Sequence, residues 1–143
     1  MLLQPLRLVV LALALALLPA CSAGSNDRAA RGTVVRVTER DFRIKVSPAK
    51  VRAGDVRFLI RNKGPDTHEL YIARSQPGGL RMRSDALTVD EEAIEDEVVG
   101  EEEAEEPGST HELLLHLKPG RYELFCNMAG HYLGGMHARL VVN

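Results

Sequence analysis

Apolar side chains fall on alternate positions in short runs through most of this chain, the period of a strand with one buried face. Thr33 to Thr38 is Val-rich, and Phe42, Ile44 and Val46 alternate with Arg43 and Lys45 until Ser47-Pro48 breaks the run. That spacing predicts a hairpin-like pair. Val56, Phe58 and Ile60 alternate with Arg57 and Arg61 up to the turn signal Asn62-Lys63-Gly64-Pro65. Glu69 to Ala73 reads as the next strand, with His68 where the loop enters it. Beyond Pro107-Gly108, His111, Leu113, Leu115 and Leu117 alternate as far as Lys118-Pro119-Gly120. Arg121 to Cys126 then puts Tyr122, Leu124 and Cys126 on one strand face, and Ala138 to Val142 closes the domain. The pattern predicts one all-β domain over residues 32–143, a sandwich of two sheets with about seven strands. The absence of Trp and the low aromatic content, 4%, fit short strands broken by Gly and Pro.

Two segments depart from this period. In residues 1–20, Arg7 precedes an uninterrupted apolar run from Leu8 to Leu18, and Leu18-Pro19-Ala20 leads into Cys21. The run is shorter than the roughly 20 residues that span a bilayer, so it reads as an export signal rather than a permanent transmembrane helix. The position of Cys21 resembles a bacterial lipobox, which implies cleavage before it and lipidation of the cysteine; a plain secretory signal cut near Ala23 is the alternative. Residues 21–31 then form a lipid-bearing cysteine and a flexible tether rich in Ser, Ala, Gly and Asn. The second departure, residues 85–106, holds twelve of the twenty acids and reads as a solvated acidic insertion. A short helix from Asp90 to Val99 is the other reading, since Ile94 and Val98 share a helical face. The net charge of −2 argues against nucleic acid or an anionic surface as the principal partner.

Export makes the two cysteines informative. A single disulfide would be the ordinary reading, yet an acylated Cys21 cannot pair, which leaves Cys126 as a lone thiol in an oxidising compartment. Cys126, His131 and Met136 follow one another at five-residue intervals in a loop containing Gly130, Gly134 and Gly135. Such a loop can fold back so that a thiolate, an imidazole and a thioether converge, which neither a helix nor a strand allows at that spacing. These donors suit copper better than calcium or magnesium, and Met is a ligand that zinc rarely uses. A second imidazole is expected from His68, on the far side of the sandwich. His111, His116 and His137 lie outside the pattern and are assigned structural roles.

These residues resemble the cupredoxins, the family of plastocyanin, azurin and pseudoazurin, and in particular exported bacterial members with an acidic insertion. The resemblance is carried by Asn62-Lys63-Gly64-Pro65 with His68-Glu69, by Leu117 to Tyr122, and by Cys126 to Met136. It covers most of Gly32 to Asn143. It implies a Greek-key β-sandwich and one mononuclear Cu(I)/Cu(II) ion, with His68, Cys126 and His131 as equatorial ligands and Met136 as a long axial ligand. Phe125 and Asn127 flank the cysteine where a multicopper oxidase has histidines. Gly130 stands where a dinuclear copper centre needs a second cysteine.

The function this implies is one-electron transfer by a lipid-anchored monomer at the extracytoplasmic face of a bacterial membrane, in the periplasm or at the cell surface, with a redox protein as partner. Residues 127–136 contain no Asp, Glu, Lys or Arg, and Met128, Ala129, Tyr132 and Leu133 supply apolar surface around His131 for that encounter. Copper sequestration or delivery to an oxidase is the alternative. An enzyme is not expected, since no nucleophile–base pair or second metal site stands out.

Overall fold

The computed structural model describes residues 32–143, so the export signal, Cys21 and the tether lie outside the described residues. Nine strands occur among them: β1 (Thr33–Arg40), β2 (Arg43–Ser47), β3 (Lys50–Val51), β4 (Gly54–Asn62), β5 (His68–Arg74), β6 (Val98–Glu105), β7 (Thr110–Leu117), β8 (Gly120–Phe125) and β9 (His137–Val142). They form a four-stranded sheet ordered β2-β1-β4-β7 and a five-stranded sheet ordered β3-β9-β8-β5-β6. The expected β1–β2 hairpin is present, while β1 runs parallel to β4. The two sheets form the sandwich that the alternating pattern predicts.

Each sheet turns one apolar row inward. Val35 and Val37 from β1, Val56, Phe58 and Ile60 from β4, Leu70 and Ile72 from β5, Leu124 from β8 and Leu140 from β9 meet in one core cluster. Each such side chain removed from water stabilises the fold by about 1.5–3 kcal/mol. Tyr122 is buried among them and donates its hydroxyl to Lys118 O at 2.8 Å, so its one polar atom is satisfied inside the core.

Both expectations for the acidic segment are corrected in part. A helical turn, α1 (Glu91–Ile94), is capped by Asp90 and continues as a 3-10 turn over Glu95–Glu97, shorter than the helix reaching Val99. From Val98 the segment is strand β6, which its acids conceal: Glu101 and Glu103 face water along a sheet edge while Glu105 turns inward. Val89 and Ile94 pack with Tyr71, Ala73, Leu80 and Phe125 in a second apolar cluster outside the main core. The segment is therefore anchored rather than solvated throughout. Gly100 lets β6 close against β7: a Cβ there would lie 2.7 Å from Leu115 Cδ1. Phe42 also departs from expectation, since it lies in the β1–β2 turn with positive φ and stands 53% exposed.

One end of the sandwich interior is polar. Glu39, Asn62, His68 and Glu105 are fully buried there, placed by the pairing of Glu39 with Asn62 and of His68 with Glu105. Asn62 is satisfied, donating to Asp66 O at 2.7 Å and to Glu105 O at 2.6 Å. The Glu105 carboxyl has no hydrogen-bond partner, and burial pushes its pKa up to about 7. A folded-state pKa above the unfolded value means that the native state holds the proton longer. The stabilisation is complete below the unfolded value of 4.5 and is lost as pH rises to about 7. Glu105→Gln should flatten this slope and raise the stability of the metal-free protein at pH 8 by roughly 2–3 kcal/mol, measured by urea unfolding across pH. An unchanged slope would show that Glu105 is not the group responsible.

Candidate metal centre

Three of the predicted donors converge at that polar end. The donor atoms of His68, Cys126 and His131 all lie within 4.8 Å of one another, with Cys126 Sγ 3.5 Å from His131 Nδ1. The two imidazole rings meet edge to face at 5.3 Å between centroids. His68 opens β5 and Cys126 directly follows β8, and these strands are neighbours in the five-stranded sheet, paired at Tyr71–Phe125. His68 therefore reaches the site from the adjacent strand, not from the far side of the sandwich. The same pairing aims the Glu69 N–H at Cys126 Sγ, 3.5 Å away.

The loop between β8 and β9 folds back as its glycines allow. Its base is closed by Cys126 N–H donating to Met136 O at 3.1 Å, next to the last β8–β9 pair, Phe125 with His137. Inside it, His131 N–H donates to Met128 O and Met136 N–H to His131 O, both at 2.9 Å, so successive tight turns carry the chain round His131. Gly130 and Gly135 have φ of 81° and 103°, which a side chain would strain. Met136 is fully buried in the core cluster that also holds Cys126.

The acidic segment buttresses this loop, a role the sequence pattern does not reveal. Asn127, almost fully buried, accepts from Val89 N–H at 2.7 Å and donates to Glu91 Oε1 at 2.6 Å and to Val89 O at 3.3 Å. Gly130 N–H adds a bond to Leu87 O at 2.8 Å. Asn immediately after the cysteine was the available signal, since a buried amide must find several partners.

Burial pushes the Cys126 thiol up, against the opposing effect of hydrogen bonds from the Glu69 and Met128 amides. Burial also lowers the His68 imidazole, favouring the neutral ring, and the nearby His131 adds to this against the opposing pull of Asp41. Both nitrogens of the His68 ring are buried with no hydrogen-bond partner, the nearest carboxylate oxygen being Asp41 Oδ1, 3.3 Å from Nε2 but not aligned as a bond. A buried imidazole with two orphaned nitrogens, beside a buried thiol and a second imidazole, fits a soft or borderline metal ion as the missing partner. Binding would displace the thiol proton.

The remaining histidines stay apart from this cluster. His111 lies 2.9 Å from Glu102, His116 2.7 Å from Asp55 and His137 3.2 Å from Glu123. At the surface around His131, Leu133 is 60% exposed and Ala129 is exposed, while Met128 packs partly against the core. Tyr132 is held inward, its hydroxyl 3.1 Å from Glu123 Oε1 and its ring edge-on to Phe125.

Residues 8–142 match the family model described as the cupredoxin-like domain. No curated protein matches the chain. Among solved structures, auracyanin from Roseiflexus castenholzii is similar at 17% identity and a TM-score of 0.59, covering 78% of this chain and 98% of that one. Auracyanin A of Chloroflexus aurantiacus, described as a "blue" copper protein, has 18% identity and a TM-score of 0.58 over 78% of this chain and 99% of its own. Rusticyanin from Thiobacillus ferrooxidans has 18% identity and a TM-score of 0.56, covering 78% of this chain and 79% of that one.

Proposed function

Since the chain belongs to the cupredoxin-like family, we propose that it is a one-electron carrier with a single type 1 copper ion, working outside the cytoplasm from a lipid anchor. The observation that carries this reading is the convergence of His68, Cys126 and His131 at one buried point, on strands that fix two of the three. We assign these three as equatorial ligands and Met136, buried at the far foot of the same loop, as the axial one.

Copper in such a site would supply a Cu(I)/Cu(II) couple whose oxidation change needs little rearrangement. The protein's part is to keep the donors fixed and water out. His68, Cys126 and Met136 are fully buried, and His131 alone of the four reaches the surface. Such enclosure favours retention of the ion over delivery to another protein. It also makes His131 the route for electrons, through the apolar surface of Met128, Ala129, Tyr132 and Leu133, of which Ala129 and Leu133 are the most exposed. A small apolar contact suits the brief encounters of redox partners.

Beside this surface lies a negative field. Burial raises the Glu69 carboxyl, and the charges of Glu91 and Glu103 raise it further. These acids would steer a basic partner toward His131 at low salt.

The oxidised, copper-loaded protein should show an intense blue thiolate-to-copper band that Cys126→Ala abolishes. A colourless protein that prefers zinc would sink the assignment. Leu133→Glu should leave that spectrum intact and lower the electron self-exchange rate, followed by NMR line broadening, by about tenfold or more, because two apolar patches must meet for exchange. An unchanged rate would remove the patch from the electron path. For the anchor, Cys21→Ser should move the protein from the membrane fraction to the soluble fraction of cells; persistence in the membrane would point to some other attachment.

A further inference from the structure

The β1–β2 turn, Asp41-Phe42, touches both histidines of the site although neither residue belongs to the loops that carry the donors. Asp41 Oδ1 stands 3.3 Å from His68 Nε2, a few tenths of an ångström beyond an ordinary N–H···O separation. That oxygen is buried and, like both nitrogens of His68, has no hydrogen-bond partner. Gly64, in the loop that leads to His68, leaves room for the approach: a Cβ there would lie 2.6 Å from Asp41 Oδ1 and 2.9 Å from His68 Nε2. Next to it, Phe42 takes φ of 59°, a conformation bulky side chains avoid, and this aims its ring at the ligand loop. The ring lies 5.2 Å from the His131 ring between centroids, and a Cβ on Gly134 would come within 3.0 Å of Phe42 Cε1.

The geometry points to this turn as a third loop of the metal centre, in which Asp41 holds His68 by its Nε2 atom and Phe42 seats His131. With Nε2 turned to Asp41, the proton of the neutral ring belongs on Nε2 and the lone pair on Nδ1 is left for the metal. A carboxylate hydrogen-bonded at Nε2 would make the imidazole a stronger donor and would favour the more highly charged Cu(II) over Cu(I). Asp41 is thus a positioning and tuning residue that sets the potential through His68. The flat ring of Phe42 limits rotation of His131, alongside the edge-to-face contact with His68.

This inference rests on the copper reading for its consequence but not for its geometry, and the experiment separates the two. In metal-free protein labelled with 15N, the neutral His68 ring should be the Nε2–H tautomer in the wild type and a mixture of tautomers in Asp41→Ala. In the copper-loaded protein, Asp41→Asn, which keeps the shape and removes the charge, should shift the ratio of Cu(I) to Cu(II) affinity about tenfold toward Cu(I), equivalent to a potential rise of about 59 mV. Asp41→Glu should recover part of that shift. An Nδ1–H tautomer in the wild-type metal-free protein, or a potential that Asp41→Asn leaves unchanged, would overturn the proposal. Failure of copper to give a blue site would instead overturn the copper reading and leave the tautomer result standing.

Discussion

The loop that carries Cys126, His131 and Met136 depends on one backbone hydrogen bond at its foot, Cys126 N–H to Met136 O. It prolongs the pairing of β8 with β9 by one step and closes the loop at its foot, so Cys126 and Met136 stand on the ends of two rigid strands. Ordering a loop of this length costs conformational entropy that its own short turns cannot offset alone. The rest comes from Asn127 and Gly130, whose bonds to Leu87, Val89 and Glu91 tie the loop to the segment before β6. That segment is held in turn by Val89 and Ile94 in the second apolar cluster. The acidic insertion is therefore part of the scaffold that supports the loop, with Glu101 and Glu103 turned outward on the edge strand and Glu105 turned inward.

Preorganisation of this kind has a cost that is visible at the same end of the sandwich. His68, Glu39 and Glu105 are buried with polar atoms that find no hydrogen-bond partner. Each such group opposes folding by about 1–3 kcal/mol. An apolar end would be more stable and would hold no metal. The fold tolerates it because the opposite, larger part of the interior is a continuous apolar core from Val35 to Leu140. Binding an ion at His68 and Cys126 would relieve part of that opposition, so metal binding and stability are coupled through the residues that the core leaves unsatisfied.

The sequence was most legible where chemistry and local pattern coincide. Cys126, His131 and Met136 lie within one loop, so their spacing alone announces convergence, and the alternation in β1, β4, β7 and β8 announces the sheets. What stayed hidden is non-local. His68 was expected across the sandwich because nothing local says that β5 pairs with β8. Strand β6 was concealed because Glu101, Glu102 and Glu103 carry the composition of a solvated loop, while Gly100 and Glu105, the residues that show it to be packed, have no strand signature. Phe42 reads in the sequence as the start of an alternating run, and Asp41 before it carries no signal at all. Their contacts arise only because parallel pairing sets the end of β1 beside the end of β4, from which the loop to His68 departs.

Net charge was the least informative quantity, and the sheet register explains why. Arg36 and Arg40 of β1, Arg43 and Lys45 of β2, and Arg57 and Arg61 of β4 all point away from the core on the same face of the four-stranded sheet. Glu112 lies 3.6 Å from Arg57 on that face. Glu101 and Glu103 of β6 are exposed on the far edge of the other sheet, beside β5. A total of −2 thus conceals a basic face and an acidic edge on opposite sheets, a separation that gives the molecule a dipole. The acidic edge is the one adjoining the ligand loop, through Asn127 and Glu91. That places the acidic segment at the end of the sandwich where His131 reaches the surface.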